Sequence, residues 1–469
     1  MHSEFNIRFT LFVELSKLYI PIMAARIFIS SCYRLKLARE LPVQTNTFRL
    51  ISTKSTKLLQ RVQLEHENGG QPITEAQIGS TEWPLTNRLD LIEASSIRAK
   101  PAYRCLNPDG SLCDDMESSL TSEKIVELYT GMVRSSVLDR IMFDSQRQGR
   151  ISFYMTNFGE EATQFGSAAA LELKDWVFAQ YREAGVLIYR RMPLNLMLAQ
   201  CYGNRDDLGR GRQMPIHYGN RQLNFVTISS PLTTQLPQAA GAAYAFKHDQ
   251  SKRVVICYFG EGAASEGDAH AAMNFAATLS CPVLFFCRNN GYAISTPTSE
   301  QFVSDGIVNR ALGYGMSAVR VDGNDLFAVY KATKAARDIC QRESRPILIE
   351  AMTYRVGHHS TSDDSTAYRN KEEVQHWENN YSPIKRVYNY LVACGLWSES
   401  RQKELESSVR AEVIEAISSA EKVQKSPIST MFEDVYDELP SNLKRQCEEL
   451  RAHLSSYGEH YPVKEHEGM

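Results

Sequence analysis

The sequence lacks several common signatures. It has ten cysteines among its 469 residues but no CxxC pair, and scattered cysteines are typical of thiols in a reducing compartment rather than of disulfides or a zinc site. It has no Gly-Lys-Ser/Thr, which excludes a P-loop. Glu14, Lys17 and Arg26 interrupt its most apolar stretch, so we predict no membrane span.

Positive charge is concentrated at the amino terminus. Residues 1–61 hold ten lysine and arginine residues against three acidic residues, although the whole chain has a formal net charge of −3. The remainder is acidic and has no basic stripe, which argues against nucleic acid as a partner. From Met23 onward the leader is rich in Arg, Ser, Thr and Leu, which is typical of a mitochondrial transit peptide; a basic surface arm is the alternative.

Changes in pattern along the chain predict four segments. Residues 1–61 form the transit peptide, and residues 62–121 lack a sustained hydrophobic period and indicate an extended arm. Residues 122–370 alternate short apolar runs with helical patterns, which predicts an α/β core with a mostly parallel, doubly wound sheet and flanking helices. Residues 371–469 are charged and amphipathic and predict a helical carboxyl-terminal region.

The stretch from Val254 to Tyr292 has the pattern of a buried parallel βαβ unit. Val254–Phe259 and Val283–Cys287 are short apolar runs, separated by a glycine loop and a small-residue helix. Glu261 and Asn290 follow the two predicted strands. If the strands are neighbours, their ends are about 5 Å apart and both side-chain oxygens can reach one hard cation.

A carboxylate and an amide oxygen, completed by phosphate oxygens, suit Mg²⁺. Gly260 and Gly262 would let the backbone approach a phosphate near a helix amino terminus. We therefore interpret this stretch as a metal–diphosphate site, with a plain strand-to-helix turn as the alternative. A dinucleotide fingerprint fits poorly, because Ser265 stands where its third glycine belongs.

Other polar clusters follow other predicted strands. Tyr181-Arg182 could offer a hydroxyl and a guanidinium to a phosphate, or form a surface pair. The turn 229–235 crowds hydroxyls and carbonyls and could hold a monovalent cation, although capping of the next helix is the commoner role. The loop with His358-His359-Ser360 offers a proton carrier and an exposed hydroxyl for phosphorylation; a flexible polar loop is the alternative.

These residues carry a resemblance to a known family. GEGAASEGD at 260–268 and CRNNGYAIST at 287–296 resemble the thiamin-diphosphate motif of the 2-oxo acid dehydrogenases. The likeness runs from about residue 80 to 463. The segment HHSTSDDS at 358–365 is similar to the alpha subunits that act on branched-chain 2-oxo acids, whereas the pyruvate-specific pattern is closer to HGHSMSDPG.

The resemblance implies a thiamin-diphosphate-binding fold and a set of ligands. It implies Mg²⁺ on Glu261, Asn290 and the carbonyl of Tyr292. It implies K⁺ on Ser229, Pro231, Thr234 and Gln235. The implied cofactor contacts are Gln180, Tyr181, Arg182, Ser230, Leu232, Gly260, Gly262, Ala263, Arg288 and His359.

The resemblance also implies catalytic and regulatory residues. His359 matches the catalytic histidine, and Ser360 beside it matches an inhibitory phosphorylation site. Two positions depart from the common pattern: Glu261 replaces the aspartate of many thiamin enzymes, and Asn370 replaces a second phosphorylatable serine. We therefore expect any such regulation to rest on Ser360.

The resemblance finally implies an incomplete enzyme. The family activates its cofactor with a carboxylate of a beta subunit, so we expect an α₂β₂ heterotetramer that docks on a lipoyl-bearing acyltransferase core in the mitochondrial matrix. A kinase and a phosphatase are candidate regulators. The expected reaction is oxidative decarboxylation of branched-chain 2-oxo acids with reductive acylation of the lipoyl group. Pyruvate as substrate, a non-catalytic scaffold subunit and a nucleotide-dependent enzyme are the alternatives.

Overall fold

The computed structural model describes residues 75–78, 81–85, 87, 89, 91–93, 99–114 and 116–468. The predicted transit peptide lies outside these residues. The chain divides into two compact units, Met1–Ile92 and Glu93–Met469. In the first unit, strands β1 (Glu75–Ile78) and β2 (Thr81–Pro84) pair antiparallel.

A six-stranded parallel sheet organises the second unit. The remaining strands are β3 (Trp176–Phe178), β4 (Phe225–Val226), β5 (Val255–Gly260), β6 (Val283–Asn289), β7 (Tyr292–Ala293), β8 (Thr296–Pro297), β9 (Ser317–Asp322) and β10 (Ile347–Met352). The sheet order is β4-β3-β5-β6-β10-β9, and every neighbouring pair is parallel. Strands β7 and β8 form a separate antiparallel pair.

The α-helices of the second unit alternate with these strands and then continue alone to the carboxyl terminus. They are α1 (Ser122–Arg147), α2 (Glu161–Ala169), α3 (Ala184–Tyr189), α4 (Leu194–Tyr202), α5 (Gln235–His248), α6 (Gly267–Thr278), α7 (Thr298–Gln301), α8 (Val308–Gly313), α9 (Leu326–Glu343), α10 (Lys371–Asn380), α11 (Pro383–Ala393), α12 (Glu399–Ala420) and α13 (Ser441–Tyr457). None of the described helices is long and apolar enough to cross a membrane.

Side chains of β5 alternate between two hydrophobic cores. Ile256 and Tyr258 pack with residues of α1, α2 and α9, whereas Cys257 and Phe259 pack with residues of α5 and α6. Every residue of β6 is buried, so this strand too is covered on both faces. Burial of both faces is the physical condition for a doubly wound parallel sheet, and the predicted fold class is confirmed.

The predicted neighbourhood of the two central strands is also confirmed. Strands β5 and β6 pair directly, with Gly260 opposite Arg288, and β10 pairs with the other edge of β6, with Met352 opposite Asn289. Parallel strands in this register end at one edge of the sheet. The residues that follow Gly260, Asn289 and Met352 therefore emerge at the same place.

One predicted strand is shorter than expected. The sequence predicts a strand from Phe225 to Ser230, but β4 contains only Phe225 and Val226. Beyond β4 the backbone N–H of Ile228 donates to the carbonyl of Tyr218 (3.0 Å), which lies outside the sheet. This early exit frees the following turn to approach the end of β5.

The last part of the predicted arm runs along the β9 edge of the second unit. Tyr103 makes a parallel bridge to Val321. The backbone N–H groups of Cys105 and Leu106 both donate to the carboxylate of Asp325, each at 2.6 Å. The same carboxylate caps α9, so one buried acid joins this segment to a core helix. The predicted boundaries between the four segments stay predictions.

Candidate active site

Glu261 lies directly after β5 and is 1% exposed. Its Oε2 accepts a hydrogen bond from the backbone N–H of Asn290 (3.2 Å), whereas its Oε1 is buried without a hydrogen-bond partner. Burial raises the pKa of the Glu261 carboxyl to about 7. A buried carboxylate oxygen without a partner is costly, and a cation at this position would satisfy it.

Asn290 and Tyr292 lie in the turn that faces Glu261. The Asn290 Nδ2 donates to Oε1 of Glu160 (2.9 Å), and its Oδ1 accepts from the backbone N–H of Tyr292 (3.3 Å). The structure thus brings the three residues predicted for Mg²⁺ together at one place. The described residues contain no cluster of three or more His, Cys, Asp or Glu that could hold a metal, so a metal here would rely on amide, carbonyl and ligand oxygens, which suits Mg²⁺.

The glycine loop packs tightly against this turn. A Cβ on Gly262 would lie less than 3.0 Å from Cβ of Ala293, closer than real Cβ atoms approach. The backbone N–H of Gly260 donates to Oε1 of Gln180 (2.7 Å), which ties the loop to the residues after β3. Ala263 is buried and begins a short 3₁₀ turn. Gly262 is therefore required here for close approach.

Two buried carboxylates, neither of them predicted from the sequence, hold the arginines of the site. Glu160 and Glu183 are each 0% exposed. Arg288 donates from Nη1 to Glu160 and from Nε to Glu183, both at 2.6 Å. The predicted phosphate contact Arg288 is thus held by two acids. Glu183 had a signal in its position, because it follows Arg182 directly, whereas Glu160 stands beside a second acid, Glu161, and had none.

Glu183 also fixes the residues after β3. Its Oε2 accepts hydrogen bonds from the backbone N–H groups of Gln180 (2.9 Å) and Tyr181 (3.0 Å). Arg182 is buried and donates from Nη1 to the carbonyl of Thr156 (2.6 Å). These bonds turn the predicted cofactor residues Gln180, Tyr181 and Arg182 toward the same edge as Glu261.

His359 lies between two arginines. Its Nδ1 faces Nη1 of Arg355 (2.9 Å) and Nη2 of Arg182 (3.4 Å). Burial, Arg182 and Arg355 lower the pKa of His359 to about 3. Because guanidinium groups only donate, Nδ1 is an acceptor and the neutral ring carries its proton on Nε2. The Tyr181 ring meets the imidazole edge-on, with centroids 6.0 Å apart.

Hydrogen bonds hold the loop that carries His359. The backbone N–H of His359 donates to Asp363 (2.8 Å), and the hydroxyl of Tyr368 donates to the same carboxylate (2.6 Å). Arg355 donates to the Tyr368 hydroxyl (3.0 Å) and to the carbonyl of Ile294 (2.7 Å). The loop is therefore fastened to the β7–β8 pair next to the candidate metal turn.

The expected exposure of Ser360 is wrong. Its side chain is 8% exposed, and its hydroxyl accepts a hydrogen bond from the backbone N–H of Ser362 (3.2 Å). The next residue, Thr361, is pinned by paired hydrogen bonds with the backbone of Tyr154. These bonds turn the Ser360 side chain inward, so a kinase would have to displace the loop before it could reach the hydroxyl.

The predicted potassium residues share one turn beside β5. The Thr234 hydroxyl donates to the carbonyl of Pro231 (3.0 Å), and Nε2 of Gln235 donates to the carbonyl of Tyr258 on β5 (3.0 Å). Ser229 is half-buried and Leu232 is exposed. The turn therefore gathers several oxygen atoms beside the end of β5.

Ser230 has a partner that the sequence analysis did not single out. Its hydroxyl lies 2.8 Å from Nε2 of His217, whose Nδ1 is 3.1 Å from the carbonyl of Pro215. The carbonyl only accepts, so Nδ1 carries the proton and Nε2 accepts from Ser230. His217 is 5% exposed and therefore orients the Ser230 hydroxyl.

Comparison with known proteins gives one consistent result. A family model described as "Dehydrogenase E1 component" matches residues 129–429. The chain is 57% identical over 378 residues to the mitochondrial 2-oxoisovalerate dehydrogenase subunit alpha of Homo sapiens, covering 80% of this chain and 85% of that protein. The corresponding subunit of Caenorhabditis elegans is 54% identical over 390 residues, covering 83% and 90%.

A plant protein of nearly the same name is also similar to this chain. The mitochondrial 2-oxoisovalerate dehydrogenase subunit alpha 1 of Arabidopsis thaliana is 48% identical over 398 residues, covering 84% of each chain. The residues matched by the family model include the three arginines Arg182, Arg288 and Arg355. They also include the acids Glu160 and Glu183 and the candidate metal turn. The chain therefore belongs to the dehydrogenase E1 component family.

Proposed function

We propose that this chain is the alpha subunit of a mitochondrial 2-oxo acid dehydrogenase that acts on branched-chain 2-oxo acids. The reaction is oxidative decarboxylation with reductive acylation of a lipoyl group, and it uses thiamin diphosphate, Mg²⁺ and K⁺. The observation that carries the proposal is the buried, unpartnered Oε1 of Glu261 beside Asn290 and the glycine loop. The names of the relatives, 2-oxoisovalerate dehydrogenase subunits alpha, support the substrate class.

Within this function, the residues after β5 and β6 would hold the metal. Glu261, Asn290 and the carbonyl of Tyr292 would bind Mg²⁺, and the diphosphate would supply further oxygens. The close approach of Gly262 to Ala293 keeps the glycine loop against the metal turn. When bound, thiamin diphosphate supplies the nucleophilic carbon and the electron sink for decarboxylation. The turn with Ser229, Pro231, Thr234 and Gln235 would hold K⁺ beside this loop.

His359 would orient the reacting lipoyl group and donate a proton to it at the acyl-transfer step. Its neutral ring presents Nε2–H while Arg182 and Arg355 occupy the Nδ1 side. At this step the substrate carboxylate has left as CO₂, so negative charge from a bound diphosphate would offset the two guanidinium groups and raise the pKa of His359 toward its ordinary range. His359 is then able to exchange a proton at Nε2 near neutral pH.

The same function requires other chains. The family resemblance implies that the carboxylate that activates the cofactor belongs to a beta subunit, which supports an α₂β₂ heterotetramer as the active unit. It would dock on a lipoyl-bearing acyltransferase core in the mitochondrial matrix. A kinase and a phosphatase acting on Ser360 would regulate it, because phosphate adds about −1.5 to −2 charge beside His359.

Co-expression with candidate beta subunits tests the proposal. CO₂ release is measured with thiamin diphosphate and Mg²⁺, using 2-oxoisovalerate and pyruvate as alternative substrates. We expect release from 2-oxoisovalerate only when both chains and both cofactors are present, and much slower release from pyruvate. Faster turnover of pyruvate would overturn the substrate class. Activity of the alpha chain alone would overturn the proposal that the active site is shared with a beta subunit.

A further inference from the structure

Glu160 is a fully buried acid in contact with three groups of the candidate site. Its Oε1 accepts from Nδ2 of Asn290 (2.9 Å), and its Oε2 accepts from Nη1 of Arg288 (2.6 Å). Nε of Arg182 lies 3.6 Å from Oε1. None of the roles that the family resemblance implies falls on this residue.

The contact with Glu160 decides which end of the Asn290 amide faces which way. An amide has a donating end, Nδ2, and an accepting end, Oδ1, whereas an ionised carboxylate only accepts. Two guanidinium groups beside Glu160 stabilise its negative charge. Nδ2 of Asn290 must therefore face Glu160. Oδ1 then points to the turn where it accepts from the Tyr292 N–H (3.3 Å).

This orientation matters because only one end of the amide can bind a cation. The final torsion of an asparagine side chain is broad and roughly two-fold, so without a fixed acceptor the amide can turn over. The NH₂ end would then point at the metal position, where it cannot serve as a ligand. A buried acceptor on the opposite side removes that state.

We propose that Glu160 is a positioning residue of the metal site, which holds Nδ2 of Asn290 so that Oδ1 stays available to Mg²⁺. The inference rests on the proposed function, because it takes Mg²⁺ as the metal that accompanies the diphosphate. Positioning of the Asn290 amide differs from a second possible role of Glu160, in which only its negative charge matters. A charge role would be shared by Glu183, which is equally buried and binds the same Arg288, whereas the hydrogen bond to the Asn290 amide belongs to Glu160.

Exchange of the hydrogen-bond donor and acceptor between positions 160 and 290 tests whether Glu160 orients the Asn290 amide. Glu160→Gln removes the obligate acceptor, and Asn290→Asp removes the donor and sets two carboxylates against each other. The double variant Glu160→Gln/Asn290→Asp restores one donor and one acceptor with the original total charge. The new amide at position 160 can donate to the new carboxylate at position 290 and still accept from Arg288. Glu183→Gln is the matched control for loss of one buried charge.

Binding is measured by calorimetric titration of Mg²⁺ into the αβ complex at saturating thiamin diphosphate, with thermal unfolding of the metal-free complexes as the folding check. Partners that orient metal ligands typically contribute about 10–100-fold in affinity. We expect Glu160→Gln to weaken Mg²⁺ binding by at least about tenfold. The double variant should return within about threefold of wild type, because the carboxylate at position 290 presents an oxygen at either end.

Two results would overturn the inference. One is a double variant that binds Mg²⁺ as weakly as Glu160→Gln, since a ligand with an oxygen at either end cannot be misoriented. The other is a Glu183→Gln complex that weakens Mg²⁺ binding as much as Glu160→Gln. Where Glu160→Gln lowers the yield of folded complex, its Mg²⁺ affinity is measured on the purified folded complex and compared with that of the double variant. Wild-type complex that binds no Mg²⁺ with thiamin diphosphate would instead refute the proposed function.

Discussion

Gly262→Ala tests the close approach between the glycine loop and the candidate metal turn, which contains Asn290 and Tyr292. Gly262 has φ −65°, a value that alanine adopts freely, so backbone strain does not contribute. The added Cβ would lie less than 3.0 Å from Cβ of Ala293, whereas carbon atoms in contact settle at about 3.5–4.0 Å. The two backbones must therefore separate by roughly 0.5–1 Å or more.

That separation moves Glu261 away from the turn with Asn290. Overpacking of this kind costs about 1–3 kcal/mol of unfolding free energy, and a misplacement of about 1 Å can cost about 100-fold in rate. We expect Gly262→Ala to lower the denaturation midpoint, to weaken Mg²⁺-dependent binding of thiamin diphosphate and to abolish most decarboxylation. Denaturant unfolding, calorimetry and CO₂ release measure the three effects.

Gly267→Ala is the matched control on the same stretch. Gly267 is the first residue of α6, and a Cβ there would meet nothing within 4 Å. Because alanine has fewer unfolded conformations than glycine, this variant should be unchanged or about 0.4–1 kcal/mol more stable. Wild-type metal affinity in Gly262→Ala, or equal losses in both variants, would refute the reasoning from close approach.

Three further predictions follow from individual side chains. Glu261→Gln should not lower the stability of the metal-free complex, because Oε1 has no partner to lose. The variant should abolish the rise in unfolding temperature that Mg²⁺ and thiamin diphosphate produce together. A retained rise would contradict the role of Glu261 as a metal ligand. The pKa of His359 is about 3 in the folded protein without cofactor and about 6.5 unfolded. Cofactor-free wild type should therefore lose stability relative to His359→Gln as the pH falls below about 6.5, by at most about 1.4 kcal/mol per pH unit. Stability curves of the two proteins that run parallel from about pH 8 to 5 would exclude a lowered pKa of His359. Ser360→Glu places a charge at a buried position, so we expect faster proteolysis of the loop 355–369 and loss of lipoyl acylation; full activity of the complex would contradict the regulatory role.

The pairing of the two central strands could be predicted from the sequence because their apolar runs are continuous. Val255–Gly260 and Val283–Asn289 are buried almost throughout, and a parallel strand inside a sheet is the element that satisfies such runs at that length. The positions of Glu261 and Asn290 followed, because residues after parallel strands emerge at one edge. Local patterns of this kind depend on a few neighbouring residues.

The arrangement around Asn290 could not be predicted in this way. Glu160 and Asn290 are 130 positions apart, and nothing in the local sequence around Glu160 distinguishes it from the neighbouring Glu161. His217 contacts Ser230 across the short strand β4, which lies between them in the sequence. Such contacts depend on where separate elements pack, and a periodic pattern within one element does not contain that information.

The loop with His359 and Ser360 shows both what a local sequence pattern predicts and what it leaves undetermined. Its motif was sufficient to identify the histidine and the serine as candidates. The sequence did not reveal that Ser360 is buried, since the hydrogen bonds that turn it inward involve the backbone of Ser362 and the fastening of Thr361 to Tyr154, which lies 207 residues earlier. The sequence by itself therefore determined the sheet, the edge and the residue types of the site. The tertiary structure decided which acids hold the arginines, which way the Asn290 amide faces and whether the Ser360 hydroxyl is accessible, because each of these depends on contacts between distant segments.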